Sequence, residues 1–200
     1  MPKSRNQKHR YLVADMNNLQ SVEQTFDKLV SEPHFDILIN NSGGPAAGKL
    51  FLADQFQLEQ AFRQHVLCAH LLSKKVLEGM KTAGYGRIIN IISTSVKQPL
   101  DNLGVSNTVR AAMASWAKTL ANEVAIYGIT VNNVLPGATE TDRLLDIISK
   151  ESSLHGKSVD KIKEAMIQNI PANRFGQPSE IANVVAFLAS PLAAYINGIN

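Results

Sequence analysis

The chain has 200 residues, 44% apolar and 18% charged, and a formal charge of +3, which describes one domain with a sizeable core and excludes a disordered chain. Lysines and arginines are scattered apart from the opening KSRNQKHR (Lys3–Arg10), a pattern that argues against a nucleic-acid-binding protein. A lone Cys68 excludes an internal disulfide framework and a Cys-based zinc site and fits a cytoplasmic protein, while no apolar run is long enough for a membrane span and Met1–Arg10 lacks the apolar core of a signal peptide.

Short, nearly continuous apolar runs alternate with amphipathic helical patterns. YLVAD (Tyr11–Asp15), DILIN (Asp36–Asn40), RIINIIS (Arg87–Ser93) and ITVNNVLPG (Ile129–Gly137) read as strands covered on both faces. Helices are predicted near Leu19–Ser31, Asp54–Thr82 and Asn102–Ile126. The order argues for an α/β fold, a doubly wound parallel sheet of Rossmann-like type. On the third helix, Val105, Val109, Ala112, Met113, Trp116, Leu120 and Val124 form an apolar stripe at helical spacing, with Trp116 read as core. Ser106 and Arg110 lie four residues apart beside it and reach a crevice.

Further on, Thr141–Lys150 and Ser158–Asn169 read as two helices joined by ESSLHGK, and a last helix starts near Pro178 and ends before Pro191. Polar segments after a strand end often form lids, so residues 140–172 are a candidate substrate lid.

Ligands of an open parallel sheet bind beyond the carboxyl ends of its strands. Those ends carry Asp15, NNSGG (Asn40–Gly44), STS (Ser93–Ser95) and PGATET (Pro136–Thr141). Each piece alone is explained by a turn or a strand terminator. Their joint order makes one site.

That order resembles the short-chain dehydrogenase/reductase family over essentially the whole chain. NNSG is similar to its N-N-A-G, GRIINIIS to the strand leading to its catalytic serine, and ITVNNVLPGATET to its V-N-x-V-x-P-G-x-x-x-T segment. RFGQPSEIANVVAFLASPLAAYINGIN resembles its R-x-G-x-P-x-E-I-A-x-x-V-x-F-L-x-S stretch and the I-x-G beyond. The nearest look is to bacterial reductases of the 3-oxoacyl-carrier-protein type. The resemblance implies NAD or NADP as cofactor and a small carbonyl or secondary alcohol as substrate. It places Asp15, with Met16 beside it, at the adenine, and Asn40, Ser42 and Gly43 at the adenine-side ribose. It places Pro136, Gly137, Thr139 and Thr141 at the nicotinamide half, although helix capping accounts almost equally well for the two threonines.

The family catalyses with Asn, Ser, Tyr and Lys. Ser93 matches its serine, and the thirteen-residue interval puts Ser106 at the tyrosine and Arg110 at the lysine. His65 falls where the asparagine belongs. A serine hydroxyl is shorter and far less acidic than a phenol and cannot inherit the proton transfer directly. Arg110 stays charged and can hold ribose hydroxyls. His65 is therefore the candidate acid, since histidine titrates near neutral pH, with a bound water as the alternative; its structural role would be a bond to a backbone carbonyl.

The family's T-G-x-x-x-G-I-G loop is missing from Met1–Asn41, and the chain stops at NGIN, before the family's D-G-G. Judged by the resemblance, YLVAD is the third strand, the first two strands are absent and the last is cut short, which suggests a fragment of a longer protein. The resemblance also implies pairing through the two long helices into a homodimer or homotetramer. Two further readings stand beside the oxidoreductase: a non-catalytic relative that binds nucleotide or serves as an oligomerisation subunit, and, more weakly, a lyase or epimerase.

Overall fold

In the computed structural model, residues 9–29 and 35–200 are described. The basic opening run lies mostly outside them, as does the predicted end of the first helix. Three parallel strands, β1 (Ile37–Asn40), β2 (Gly86–Ile91) and β3 (Ile129–Val134), form a sheet in the order β1-β2-β3. Seven α-helices surround it among the described residues: α1 (Leu19–Asp27), α2 (Gln55–Phe62), α3 (Cys68–Ala83), α4 (Gly104–Val124), α5 (Asp142–His155), α6 (Val159–Gln168) and α7 (Pro178–Ala189). None is long and apolar enough to cross a membrane.

The sheet is doubly wound, as the alternation of patterns requires. On one face Val76 and Met80 of α3 and Ala117, Ala121 and Val124 of α4 close over Ile88, Ile129 and Val131. On the other, α7 and the following turn seal Ile89 and Val134 with Leu188 and Ala193. β2 and β3 are buried along nearly their whole length, which explains their unbroken apolar runs. The cover on the second face stops short of β1, where Ile37 and Ile39 remain exposed.

The core face of α4 is narrower than its sequence stripe. Ala114, Ala117 and Ala121 are buried beside Val105, Val109 and Met113, whereas Ala112, Trp116 and Leu120 lie at the margin. Small residues let the helix approach the sheet closely, so the larger ones at its flank reach only the edge of the core. Trp116 also donates its Nε1–H to His70 Nδ1 at 3.4 Å. Gly128, with φ of +72°, turns the chain from α4 into β3, where a side chain would collide with the carbonyl of Gly84.

Two expectations change. YLVAD forms no strand: Tyr11 is 92% and Val13 88% exposed, and this segment finds no ladder partner in the sheet. An apolar run becomes a strand only where another strand satisfies its backbone. The predicted helix over Asp54–Thr82 is interrupted by a π-helical turn, Arg63–Leu67, which swells the helix around His65. At the far end, residues 197–200 run along the free edge of β3, where Gly198 N–H donates to Val131 and Asn133 N–H to the carbonyl of Ile199.

Candidate active site

Three asparagines stand in register across the sheet near its carboxyl end, Asn40, Asn90 and Asn133. Asn40 Nδ2 donates to Asn90 Oδ1 at 2.8 Å, Asn90 Nδ2 to Asn133 Oδ1 at 2.9 Å, and Asn133 Nδ2 to Asn200 Oδ1 at 2.6 Å. A buried chain of this kind satisfies each amide through the next and holds the strand ends together. The site is built just beyond it.

A cleft of about 1470 Å³ opens there. It gathers Ser93 from the end of β2, Ser106 and Arg110 from α4, Ser42 and Gly43 from the loop after β1, and Pro136, Gly137, Thr139 and Thr141 from the loop after β3. Its outer wall is the α5–α6 hairpin, including Arg143, Ile147, Ile162 and Met166, held by a small core of Leu144, Ile148 and Phe175. The predicted lid segment therefore borders the cleft. The loop after β3 is fixed by Gly176 N–H to Ala138 O at 2.9 Å and Glu140 N–H to Gly176 O at 2.9 Å.

Ser93 Oγ accepts the N–H of Ser95 at 3.1 Å, so its own proton is free to point into the cleft. Arg110 is only 8% exposed. Its Nη1 donates to Ile91 O at 2.9 Å and its Nη2 to Ser42 O at 3.5 Å, which ties the loop after β1 to the end of β2. Burial, and then the nearby Arg143, lower its pKa to about 10; the guanidinium is still cationic at neutral pH. Thr141 is the N-cap residue of α5, but its hydroxyl bonds back to Thr139 O at 3.3 Å rather than to a helix N–H. Thr139 in turn bonds Gly137 O at 3.2 Å.

His65 lies behind this cleft, in a chamber of about 20 Å³ shared with Met16, Asn40, Cys68 and Asn90. Ser42 and Arg110 border both spaces. His65 Nδ1 and Ser42 Oγ are 2.7 Å apart, and Nε2 has no protein partner. The histidine thus bonds a hydroxyl, not the backbone carbonyl expected of a structural role. Burial first, and the Arg110 charge second, lower its pKa to about 4, so the expectation that it titrates near neutral pH is corrected: the ring is neutral there. The Cys68 thiol, raised by burial, faces Met16 Sδ at 3.8 Å and stays protonated.

Asp15 enters neither space. Its carboxylate accepts Asn17 N–H at 2.9 Å and closes its own turn ahead of α1. Two functional features were missed in the sequence. The asparagine ladder was signalled by an Asn near the end of each of three strand runs; Arg143 was signalled only by a basic residue in the first turn after a strand-end loop.

The site residues suit NAD(P). A Cβ at Gly43 would meet nothing within 4 Å, which leaves its backbone open to close approach, and the hydroxyl-bearing loop after β3 lies across the same cleft. Residues 2–200 match the enoyl-(acyl carrier protein) reductase family. The chain is 35% identical over 190 residues to the 3-oxoacyl-[acyl-carrier-protein] reductase FabG of Vibrio harveyi, covering 94% of this chain and 72% of that protein. Its structure matches YwfH, an NADPH-dependent reductase involved in bacilysin biosynthesis, with a TM-score of 0.88 and 30% identity over 94% of this chain and 73% of that one. It also matches an NAD+-bound xylitol dehydrogenase, with a TM-score of 0.86 and 26% identity over 94% and 75% of the two chains. The sheet, the strand-end loops and these likenesses agree: the chain belongs to the short-chain dehydrogenase/reductase family of NAD(P)-dependent oxidoreductases.

Proposed function

We propose that this chain reduces a small ketone, or runs the reverse oxidation, with a proton path altered from that of its family. The observation that carries the reading is the convergence of Ser93, Ser106 and Arg110 on one cleft whose back wall, at Ser42, touches His65. The nicotinamide cofactor, when bound, supplies or takes a hydride. Ser42, Gly43, Pro136, Gly137, Thr139 and Thr141 line the cleft and are the residues proposed to hold it, whereas Asn40 lies behind the wall with its amide bonded to Asn90, and its ribose role has only the resemblance behind it. Asp15 and Met16 stand apart from the cleft, so their adenine-side role has only the resemblance behind it.

Ser93 donates its hydroxyl proton as a hydrogen bond to the substrate oxygen, because its acceptor side is engaged by Ser95 N–H. Arg110 supplies a fixed positive potential as charge develops on that oxygen. Its guanidinium remains charged and is a poor acid. Ser106, short and weakly acidic, lines the wall and positions the substrate. The proton comes through Ser42: its hydroxyl passes a proton to the substrate oxygen and is refilled from His65 Nδ1, while Nε2 takes up a replacement proton from solvent water. The imidazole changes tautomer and never becomes imidazolium, which suits a ring held neutral by burial and Arg110. Residues 140–172 serve as the substrate lid.

Exposed Phe51 just ahead of α2, Phe56 and Phe62 on α2 and Leu67 in the π-turn support homodimer or homotetramer formation through this side. Cytoplasmic localisation is part of the same proposal and rests on the likeness to FabG. Replacing His65 by Ala in the intact chain should lower NADPH-dependent ketone turnover by about 100-fold. Unchanged turnover would remove His65 from the path. A wild-type chain that oligomerises but turns over no carbonyl with either cofactor would be a non-catalytic relative.

A further inference from the structure

Arg143, in the first turn of α5, reaches across the cleft mouth toward Arg110. Both guanidiniums come within 4 Å of the point where a side chain on Gly44 would begin. Arg143 Nη2 donates to Pro45 O at 2.6 Å, and Arg110 is bound only to the carbonyls of Ile91 and Ser42. Neither has an ion-pair partner among the described residues. The acids lining the same cleft do not neutralise them: Asp101 pairs with neither, and Glu151 accepts from Asn102 at 3.3 Å and from His155 at 3.1 Å. Two cations, one nine-tenths buried, thus face one space without an anion of the protein's own. Like charges drawn this close favour an anion between them, and paired guanidiniums suit the fork of a carboxylate or phosphate.

Much of the remaining lining is apolar, including Ile39, Ile147, Ile162, Met166, Ile181 and Val185. A ligand that satisfies both ends has an anionic head and an alkyl body. Resting on the reductase reading above, we propose that Arg143 and Arg110 hold the carboxylate of the substrate, making a free oxo acid with an apolar chain the preferred ketone over its neutral ester. The same anion chemistry is carried by the cofactor's diphosphate, so the test must separate the two.

The probes are 3-oxooctanoate and its methyl ester, compared at constant ionic strength on the intact chain. Two readouts are taken: thermal unfolding without cofactor, and NADPH oxidation. The acid should raise the unfolding midpoint more than the ester, and kcat/KM should favour it by roughly tenfold, about 1.4 kcal/mol. Arg143→Gln should erase both preferences while moving the NADPH dissociation constant far less. Arg143→Lys, which keeps the charge but not the fork, should restore part of them. Equal behaviour of acid and ester with wild type would overturn the proposal. So would an Arg143→Gln variant whose NADPH affinity falls as far as its acid preference, since the pair would then serve the diphosphate. Protection by the acid that depends on Arg143, without any turnover, would uphold the anion site and reject the reductase reading. Turnover of both probes without preference would do the reverse.

Discussion

The chamber around His65 and the cleft before it share Ser42 and Arg110 yet are opposite environments. Behind that shared wall, polar groups are buried, few and fixed: His65 is 4% exposed, and the asparagine ladder is satisfied within itself. In front, the α5–α6 hairpin presents apolar side chains to an open space and is positioned by its own small core and by two polar ties, Arg143 to Pro45 O and Asn102 to Glu151. A charge costs much more to create behind the wall than in front of it. That difference keeps His65 neutral and leaves Arg110, anchored by two carbonyls at the boundary, as the fixed charge of the inner wall.

The most damaging way to break the contrast is to remove its shared wall. Arg110→Ala leaves the Ile91 and Ser42 carbonyls without their donor and erases the cleft's fixed charge. Turnover should fall at least about 100-fold, in the range of losing an electrostatic donor at a reacting oxygen. Stability should drop by about 1–3 kcal/mol in denaturant unfolding. Arg110→Lys should recover stability better than turnover, because an ammonium lacks the fork that reaches both carbonyls. A variant with full turnover would show that the wall's charge is idle.

Acidification tests the chamber alone. His65 is held at about 4 in the folded chain against an ordinary value of 6.5, so between those values the unfolded chain binds the extra proton. Its contribution is complete above about pH 6.5, is lost as pH falls toward 4, and levels off below. The loss should reach roughly 3 kcal/mol at most. Glu180, held at about 2 by Arg174 and the Gln177 N–H, loses its contribution in a lower window, from about 4.5 down to about 2. Chemical denaturation at stepped pH should therefore show a slope between 6.5 and 4 that His65→Gln removes. A slope that survives the substitution would place the titrating group elsewhere.

The smallest effect is expected on the outer wall. Met166 is half-buried in the hairpin core and borders the cleft. Met166→Ala should cost less than the roughly 2–5 kcal/mol typical of a fully buried site, about 1 kcal/mol by thermal unfolding, and should raise KM more than it lowers kcat. A large loss of kcat with unchanged KM would make the hairpin part of the inner, rigid machinery instead.

Much of this was legible before folding. The apolar runs of β1, β2 and β3 and the order of their polar ends located the cleft, and the thirteen-residue interval from Ser93 to Ser106 brought both, with Arg110, to it. Other residues were misread for identifiable reasons. Tyr11–Asp15 has a strand's composition, but composition does not supply a partner edge. Trp116, read as core, packs against two core clusters but only from their margin, because the alanines beside it set the distance to the sheet.

What the sequence by itself determined, then, is local and periodic: which runs are apolar on both faces, where helices start and stop, and which polar residues stand at strand ends. Those properties depend on neighbours three or four positions away. Tertiary structure alone decided that a π-turn carries His65 against Ser42, that burial beside Arg110 keeps the ring neutral, and that Arg143 meets Arg110 over Gly44. Protonation and charge pairing depend on groups brought together from distant parts of the chain and on the water excluded between them, and spacing along a sequence records neither.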